Sequence, residues 1–121
     1  MMSATAKAWD EELVRNWLRR RLETARLDQA AADQRGYEAQ DDYDKAAAEE
    51  WVCRTLTIAG RTQDEATFAE HLRALLAQDE YRVTGIYDDR RFERYVRANL
   101  RKLVKMAKAN DGFANTLRYQ S

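Results

Sequence analysis

The 121-residue sequence contains no proline, four glycines, one cysteine and one histidine. Proline and glycine supply many of the turns that a β fold needs, so their scarcity argues against an all-β or α/β domain. The single Cys53 excludes an internal disulfide and a cysteine-based zinc site, and the single His71 excludes a metal site built on two histidines. No apolar run approaches the roughly 20 residues of a membrane span, and the N-terminus lacks the apolar core of a signal peptide. The sequence therefore predicts a cytoplasmic protein with no membrane contact.

The residues that are abundant favour helices. Alanine occurs 20 times, and apolar residues recur at spacings of three and four along most of the chain, as on the buried face of a helix. Short connections and one apolar face per segment predict a single all-α domain over residues 1–121, a compact bundle of four main helices with short loops. The predicted helices run from about residue 4 to Arg26 or Gly36, from Asp41–Asp42 to Gly60, onward from a capping box at Thr62–Glu65, and over 89–109. Residues 79–87 are predicted to form a loop.

The charged residues are segregated along the chain, although the 21 basic and 21 acidic residues sum to zero. Residues 28–50, which we call the acidic segment, hold eight acidic and two basic residues, a net charge of −6. Residues 90–108 hold eight basic residues and one acidic residue, a net charge of +7. Blocks of opposite sign indicate either a charged face for a partner or pairing of the two blocks with each other.

The last predicted helix concentrates its positive charge on one side. Six cations fall within about 80° of one another on a helical wheel, opposite the apolar residues. We call these six the basic row: Arg90, Arg94, Arg97, Arg101, Lys105 and Lys108. The row is roughly 27 Å long at a rise of ~1.5 Å per residue. Like charges at i,i+4 repel, so we expect an offsetting partner: phosphates, the acidic segment packed alongside, or an acidic protein.

Aromatic side chains near such a row would stack on unpaired bases. Tyr81 and Tyr87 lie in the predicted loop and are the preferred candidates, whereas Tyr95 falls on the apolar side of the last helix and is expected in the core. Tyr119 in the tail is a further candidate. No zinc finger, RNP strand motif or KH loop accompanies them, so binding would read the backbone and shape of a nucleic acid rather than its base sequence.

No group of residues has the spacing of a catalytic or metal site. Three aspartates at the start of the second predicted helix lack the spacing of a calcium loop and are explained by helix capping: Asp41, Asp42 and Asp44. His71 has no triad partner nearby in sequence, Cys53 lies among apolar residues, and no glycine-rich phosphate loop is present. The sequence therefore predicts a protein that is not an enzyme and that uses no cofactor and no metal.

The stretch Arg-Ala-Asn-Leu-Arg-Lys-Leu-Val-Lys-Met-Ala-Lys-Ala (97–109), with the chain length and helix count, resembles the small subunits of CRISPR effector complexes. The resemblance implies a non-catalytic helical bundle that acts in antiviral defence within a ribonucleoprotein. It would hold the target or displaced strand through basic side chains. We therefore expect a subunit that binds RNA or single-stranded DNA through the basic row, supported by Arg15 and Arg19, and that contacts other protein subunits.

Two alternatives remain open. The same small helical profile is similar to that of phage-encoded inhibitors such as anti-CRISPR proteins, in which the acidic segment would imitate phosphate and bind a basic partner protein. The residues expected to do so are Asp41, Asp42, Asp44 and Glu49. The other alternative is self-association, in which the acidic segment of one copy pairs with the basic row of another.

Overall fold

The structure, a computed structural model, describes residues 9–108 together with 113, 114 and 117. Over these residues the regular structure is entirely helical, and no strand occurs among them. The elements are α1 (Glu11–Arg35), a 3-10 turn (Gly36–Ala39), α2 (Gln40–Leu56), α3 (Glu65–Leu76) and α4 (Asp89–Ala107). No helix in the described part of the chain is long and apolar enough to cross a membrane.

The all-α prediction is confirmed, but the prediction of four helices joined by short loops is wrong. Within residues 9–108 the helical residues form three uninterrupted stretches, over 11–56, 65–76 and 89–107, because the 3-10 turn rather than a loop joins α1 to α2. Gly36 ends α1 at a φ of 76°, and its N–H donates to the carbonyls of Ala32 and Asp33. A side chain is strained at that φ, so glycine suits the residue at which the chain reverses.

The α1–α2 hairpin packs antiparallel along its length, and α4 lies against α2 with α3 packed on α4. The apolar stripes of the helices meet in one core, in which Leu18, Leu56, Phe92 and Leu100 are fully buried. Phe113 extends this core as the centre of an aromatic cluster with Trp9, Trp17 and Phe68. The core therefore fixes which side of α4 faces inward.

Aspartates begin three of the helices, as the sequence suggested for α4. Asp88 caps α4 by accepting a hydrogen bond from the Arg91 N–H at 3.0 Å, and the residue at the start of α3 is Asp64, which accepts from the Thr67 N–H at 2.7 Å. The predicted capping box at Thr62 is therefore wrong. Thr62 is buried instead, and its hydroxyl donates to Glu11 Oε2 at 3.3 Å.

Candidate nucleic-acid interface

The outer side of α4 carries most of the basic row. Its inner side buries Phe92, Val96, Leu100 and Leu103. Five members of the row are exposed on the opposite side: Arg90, Arg94, Arg101, Lys105 and Lys108. None of these five forms a salt bridge with any other described residue. They form the exposed basic face of α4.

Arg97 is the exception within the basic row. Its guanidinium donates to the carbonyl oxygens of Leu76, Gln78 and Asp79 at 3.1, 2.9 and 3.2 Å, and it lies 5.0 Å from the centre of the Tyr81 ring. The cation satisfies the Leu76 carbonyl at the end of α3 and two carbonyls of the loop that follows, and it complements the negative end of the helix dipole. Arg97 therefore attaches α4 to the end of α3 and is not part of the exposed basic face, contrary to prediction.

Asp44 is the centre of the acidic segment's contacts, and it is fully buried. Its carboxylate accepts hydrogen bonds from the N–H groups of Tyr87 and Asp88 at 2.8 and 3.0 Å. It also accepts from Arg91 Nε and Nη2 at 3.1 and 2.8 Å. The side-chain hydrogen bond between Arg91 and Asp44 is the main cause of the raised pKa of Arg91. Asp44 thus ties α2 to the beginning of α4 and is not available to a partner protein.

The other carboxylates of the acidic segment that were predicted to bind a protein also have partners within the chain. Asp41 accepts a hydrogen bond from the Tyr95 hydroxyl at 2.7 Å and pairs with Arg91 at 3.4 Å. The remaining pairs join α2 to α1 or lie on α2: Asp42 with Arg35 at 3.0 Å, Glu49 with Arg21 at 2.6 Å, Glu50 with Arg26 at 3.5 Å and with Arg54 at 3.2 Å. Five of the eight carboxylates of the acidic segment are therefore paired with cations outside the basic row, whereas Asp28, Asp33 and Glu38 are exposed and form no salt bridge with a described residue.

Arg15 and Arg19 are exposed on α1. Because α1 packs mainly against α2 and not against α4, these two residues form a second positive patch on a separate helix. The structure does not bring them into the basic row. They can support binding only if a ligand spans both helices.

The four tyrosines considered as base-stacking residues have different surroundings. Tyr81 is only 3 % exposed, its hydroxyl donates to the Leu75 carbonyl, and burial raises its pKa. The prediction that Tyr81 stacks on bases is therefore wrong. Tyr95 is half-buried rather than in the core, and its hydrogen bond to Asp41 raises its pKa. Tyr87 is 48 % exposed, and Tyr119 lies outside the described residues.

Cys53, the single cysteine, is placed unfavourably for catalysis. Burial raises the pKa of the Cys53 thiol to about 12, so the thiolate that a nucleophile requires is scarce near neutral pH. Across residues 9–108, 113, 114 and 117, no group of three or more His, Cys, Asp or Glu side chains could hold a metal ion.

Sequence reasoning missed the structural role of Arg91. Its position on α4, about 100° from Arg90, puts it between the exposed basic face and the apolar side, where a side chain can reach a neighbouring helix. That position could have predicted that Arg91 contacts a neighbouring helix, although it could not identify the partner, which lies 47 residues away.

Compared with known protein families, curated proteins and solved structures, the chain matches none of them.

Proposed function

We propose that this protein binds nucleic acid through its phosphate backbone, using the exposed basic face of α4. The observation that carries the proposal is the contrast in pairing. Five of the eight carboxylates of the acidic segment are paired with Arg91 or with arginines of α1 and α2, and none of the eight forms a salt bridge with the exposed basic face. Five cations along roughly 27 Å of helix are left for an external polyanion.

Folding alone does not account for these cations. Lys105 and Lys108 lie at the C-terminal end of α4, where positive charge complements the helix dipole, but Arg90 lies in the first turn, where it opposes the dipole. Arg101 and Lys105 also repel each other at i,i+4. A phosphate backbone offsets both effects, because each neutralised phosphate releases counterions.

The proposed binding is independent of base sequence. The cations lie on one straight helix face and can follow a backbone, but backbone contacts fix position without reading bases. We propose the same role that the CRISPR small-subunit resemblance implies: a non-enzymatic component of a ribonucleoprotein that holds RNA or single-stranded DNA beside other protein subunits. The unreactive environment of Cys53 is consistent with a role that is not catalytic.

The alternative proposal, an inhibitor or adaptor that binds a basic protein through the acidic segment, has no such observation in its favour. Asp44 is buried, and Asp41, Asp42 and Glu49 already pair with residues of the same chain. Binding a basic partner would first require these contacts to be exchanged.

The test is a pair of double variants with equal changes in charge. Arg94→Glu with Arg101→Glu removes two cations from the exposed basic face, and Arg20→Glu with Lys45→Glu removes two exposed cations elsewhere. Fluorescence anisotropy with labelled single-stranded RNA and DNA should show at least a tenfold loss of affinity for the first variant, equivalent to about 1.4 kcal/mol. The plot of log K against log salt should become shallower by about 1.4, because two contacts to a single strand are lost.

Two outcomes would contradict the proposal. If both double variants lose affinity equally, net charge rather than the exposed basic face controls binding. If the α4 variant binds as tightly as the original protein, the face is not the site. Circular dichroism should show unchanged helicity in both variants, because all four side chains are exposed.

A further inference from the structure

An exposed aromatic ring lies just before the exposed basic face. Tyr87 precedes the N-cap residue of α4, and 48 % of its surface is exposed. Arg90 is three positions further along the chain, so the two Cα atoms are at most about 11 Å apart, at 3.3–3.6 Å per residue. A nucleotide that neighbours the phosphate held by Arg90 can therefore reach the Tyr87 ring.

The position of Tyr87 is fixed by the fold. Its backbone N–H donates to Asp44 Oδ1 at 2.8 Å, and its ring meets the Tyr43 ring edge-on, with centroids 5.4 Å apart and an interplanar angle of 82°. A ring that is already ordered loses little further conformational freedom when a ligand binds, so more of the contact energy contributes to affinity.

The charge beneath Tyr87 is compatible with a nearby phosphate. Asp44, the carboxylate that holds the Tyr87 backbone, is buried and paired with Arg91 at 2.8 Å. Its negative charge is therefore compensated on the inner side of the loop. On the outer side Asp88, whose carboxylate caps α4, and Asp89 are exposed, and the next exposed cations along the chain are Arg90 and Arg94.

From these contacts we infer that the ligand of the exposed basic face is single-stranded, and that Tyr87 is the platform on which one unpaired base stacks. The inference rests on the proposed function and adds strand selectivity to it. An aromatic ring stacks on any base, whereas the bases of a duplex are already stacked on each other and paired. Phosphate contacts alone would not discriminate a single strand from a duplex in this way.

The experiment measures binding of the full chain to three labelled probes: oligo-uridine, oligo-thymidine and a mixed-sequence duplex. Each strand has about 20 nucleotides, which is longer than the site of a small single-strand-binding domain. Tyr87→Ala should weaken binding of both single strands by about 5- to 150-fold, the range that corresponds to one lost base-stacking contact. Binding of the duplex should be unchanged.

Two matched variants support the experiment. Tyr87→Trp keeps an aromatic platform and should retain single-strand affinity. Tyr37→Ala removes another exposed tyrosine, 88 % exposed on the 3-10 turn, and should change nothing. Thermal unfolding by circular dichroism identifies any variant whose fold is disturbed, in which case Tyr87→Trp decides alone. The original protein, which contains Trp9, Trp17 and Trp51, gives the background, and quenching beyond that background by single strands but not by the duplex supports stacking.

The inference fails separately from the proposed function. If Tyr87→Ala leaves single-strand binding unchanged, or weakens duplex binding equally, stacking on Tyr87 is overturned, while the Arg94 and Arg101 variants still decide whether α4 is the site. If the duplex quenches the fluorescence of Tyr87→Trp as strongly as the single strands do, the inference is likewise overturned. If the arginine variants also bind normally, both proposals are wrong.

Discussion

Residues 28–50 and residues 90–108 carry net charges of −6 and +7, but their side chains have different surroundings. Several carboxylates of the acidic segment join helices: Asp44 ties α2 to α4, and Glu49 and Glu50 tie α2 to α1. The exposed basic face of α4 joins nothing among the described residues. The comparison teaches that similar amounts of charge can be arranged differently: most carboxylates of one block pair within the chain, whereas in the other block Arg91 and Arg97 join helices and five cations remain exposed without a salt bridge to a described residue.

The largest expected effect tests the structural half of this comparison. Asp44→Ala leaves Arg91 and two N–H groups without their acceptor, which should lower the free energy of unfolding by about 3 kcal/mol. Asp42→Ala, the matched control, removes only an exposed pair with Arg35 and should cost less than about 1 kcal/mol. Urea unfolding followed by circular dichroism measures both. Equal losses would show that burial does not distinguish Asp44 within the acidic segment.

A second prediction separates two arginines of the basic row. Arg97→Ala removes charge-assisted hydrogen bonds to three carbonyl groups and should lower the free energy of unfolding by about 2 kcal/mol. Arg94→Ala, one turn earlier and exposed, should change it by less than about 0.5 kcal/mol. Nucleic-acid affinity should fall more for Arg94→Ala than for Arg97→Ala when it is measured under conditions in which both variants are folded. A destabilising Arg94→Ala would place Arg94 in the fold rather than on the exposed face.

The smallest expected effect is a change in the free energy of unfolding whose sign depends on which surface arginine is replaced. Arg101→Gln relieves repulsion with Arg97 and Lys105 at i,i+4, so it should raise the free energy of unfolding by a few tenths of a kcal/mol at low salt. Arg54→Gln removes an attractive i,i+4 pair with Glu50 and should lower it by a similar amount. Thermal melts in low salt and in about 1 M salt, where the screening length is about 3 Å, should show both differences shrinking. If both variants changed the free energy of unfolding in the same direction, the contrast between the unpaired Arg101 and the paired Arg54 would be wrong.

Local patterns predicted much of this arrangement. Helix-forming composition and apolar spacing were sufficient for the all-α class, and the wheel of α4 placed Phe92 and Leu100 inward and Arg94 and Arg101 outward, as observed. These features depend on residues three or four positions apart. A single sequence contains all the information that such local relations require.

The remainder depended on residues distant in sequence. Arg97 lies at the same angle on α4 as its exposed neighbours, and only the nearby end of α3, with carbonyls 18 to 21 residues away, draws it inward. Tyr81 looked exposed because it lies in a loop, but Trp51 covers it with ring centroids 5.5 Å apart. Periodicity shows which side of a helix a residue faces, but not which element covers that side.

The 3-10 turn at Gly36–Ala39 has a consequence for the order in which the chain folds. It brings α1 and α2 together through contacts of short range, such as Arg35 with Asp42 only seven residues apart. The contacts that dock α4, such as Asp44 with Arg91, span 47 residues. Closing short loops costs less chain entropy and is faster, so the hairpin should form first and α4 should dock on it later. During synthesis, the helix that carries the exposed basic face is then docked only after the hairpin of α1 and α2 has formed.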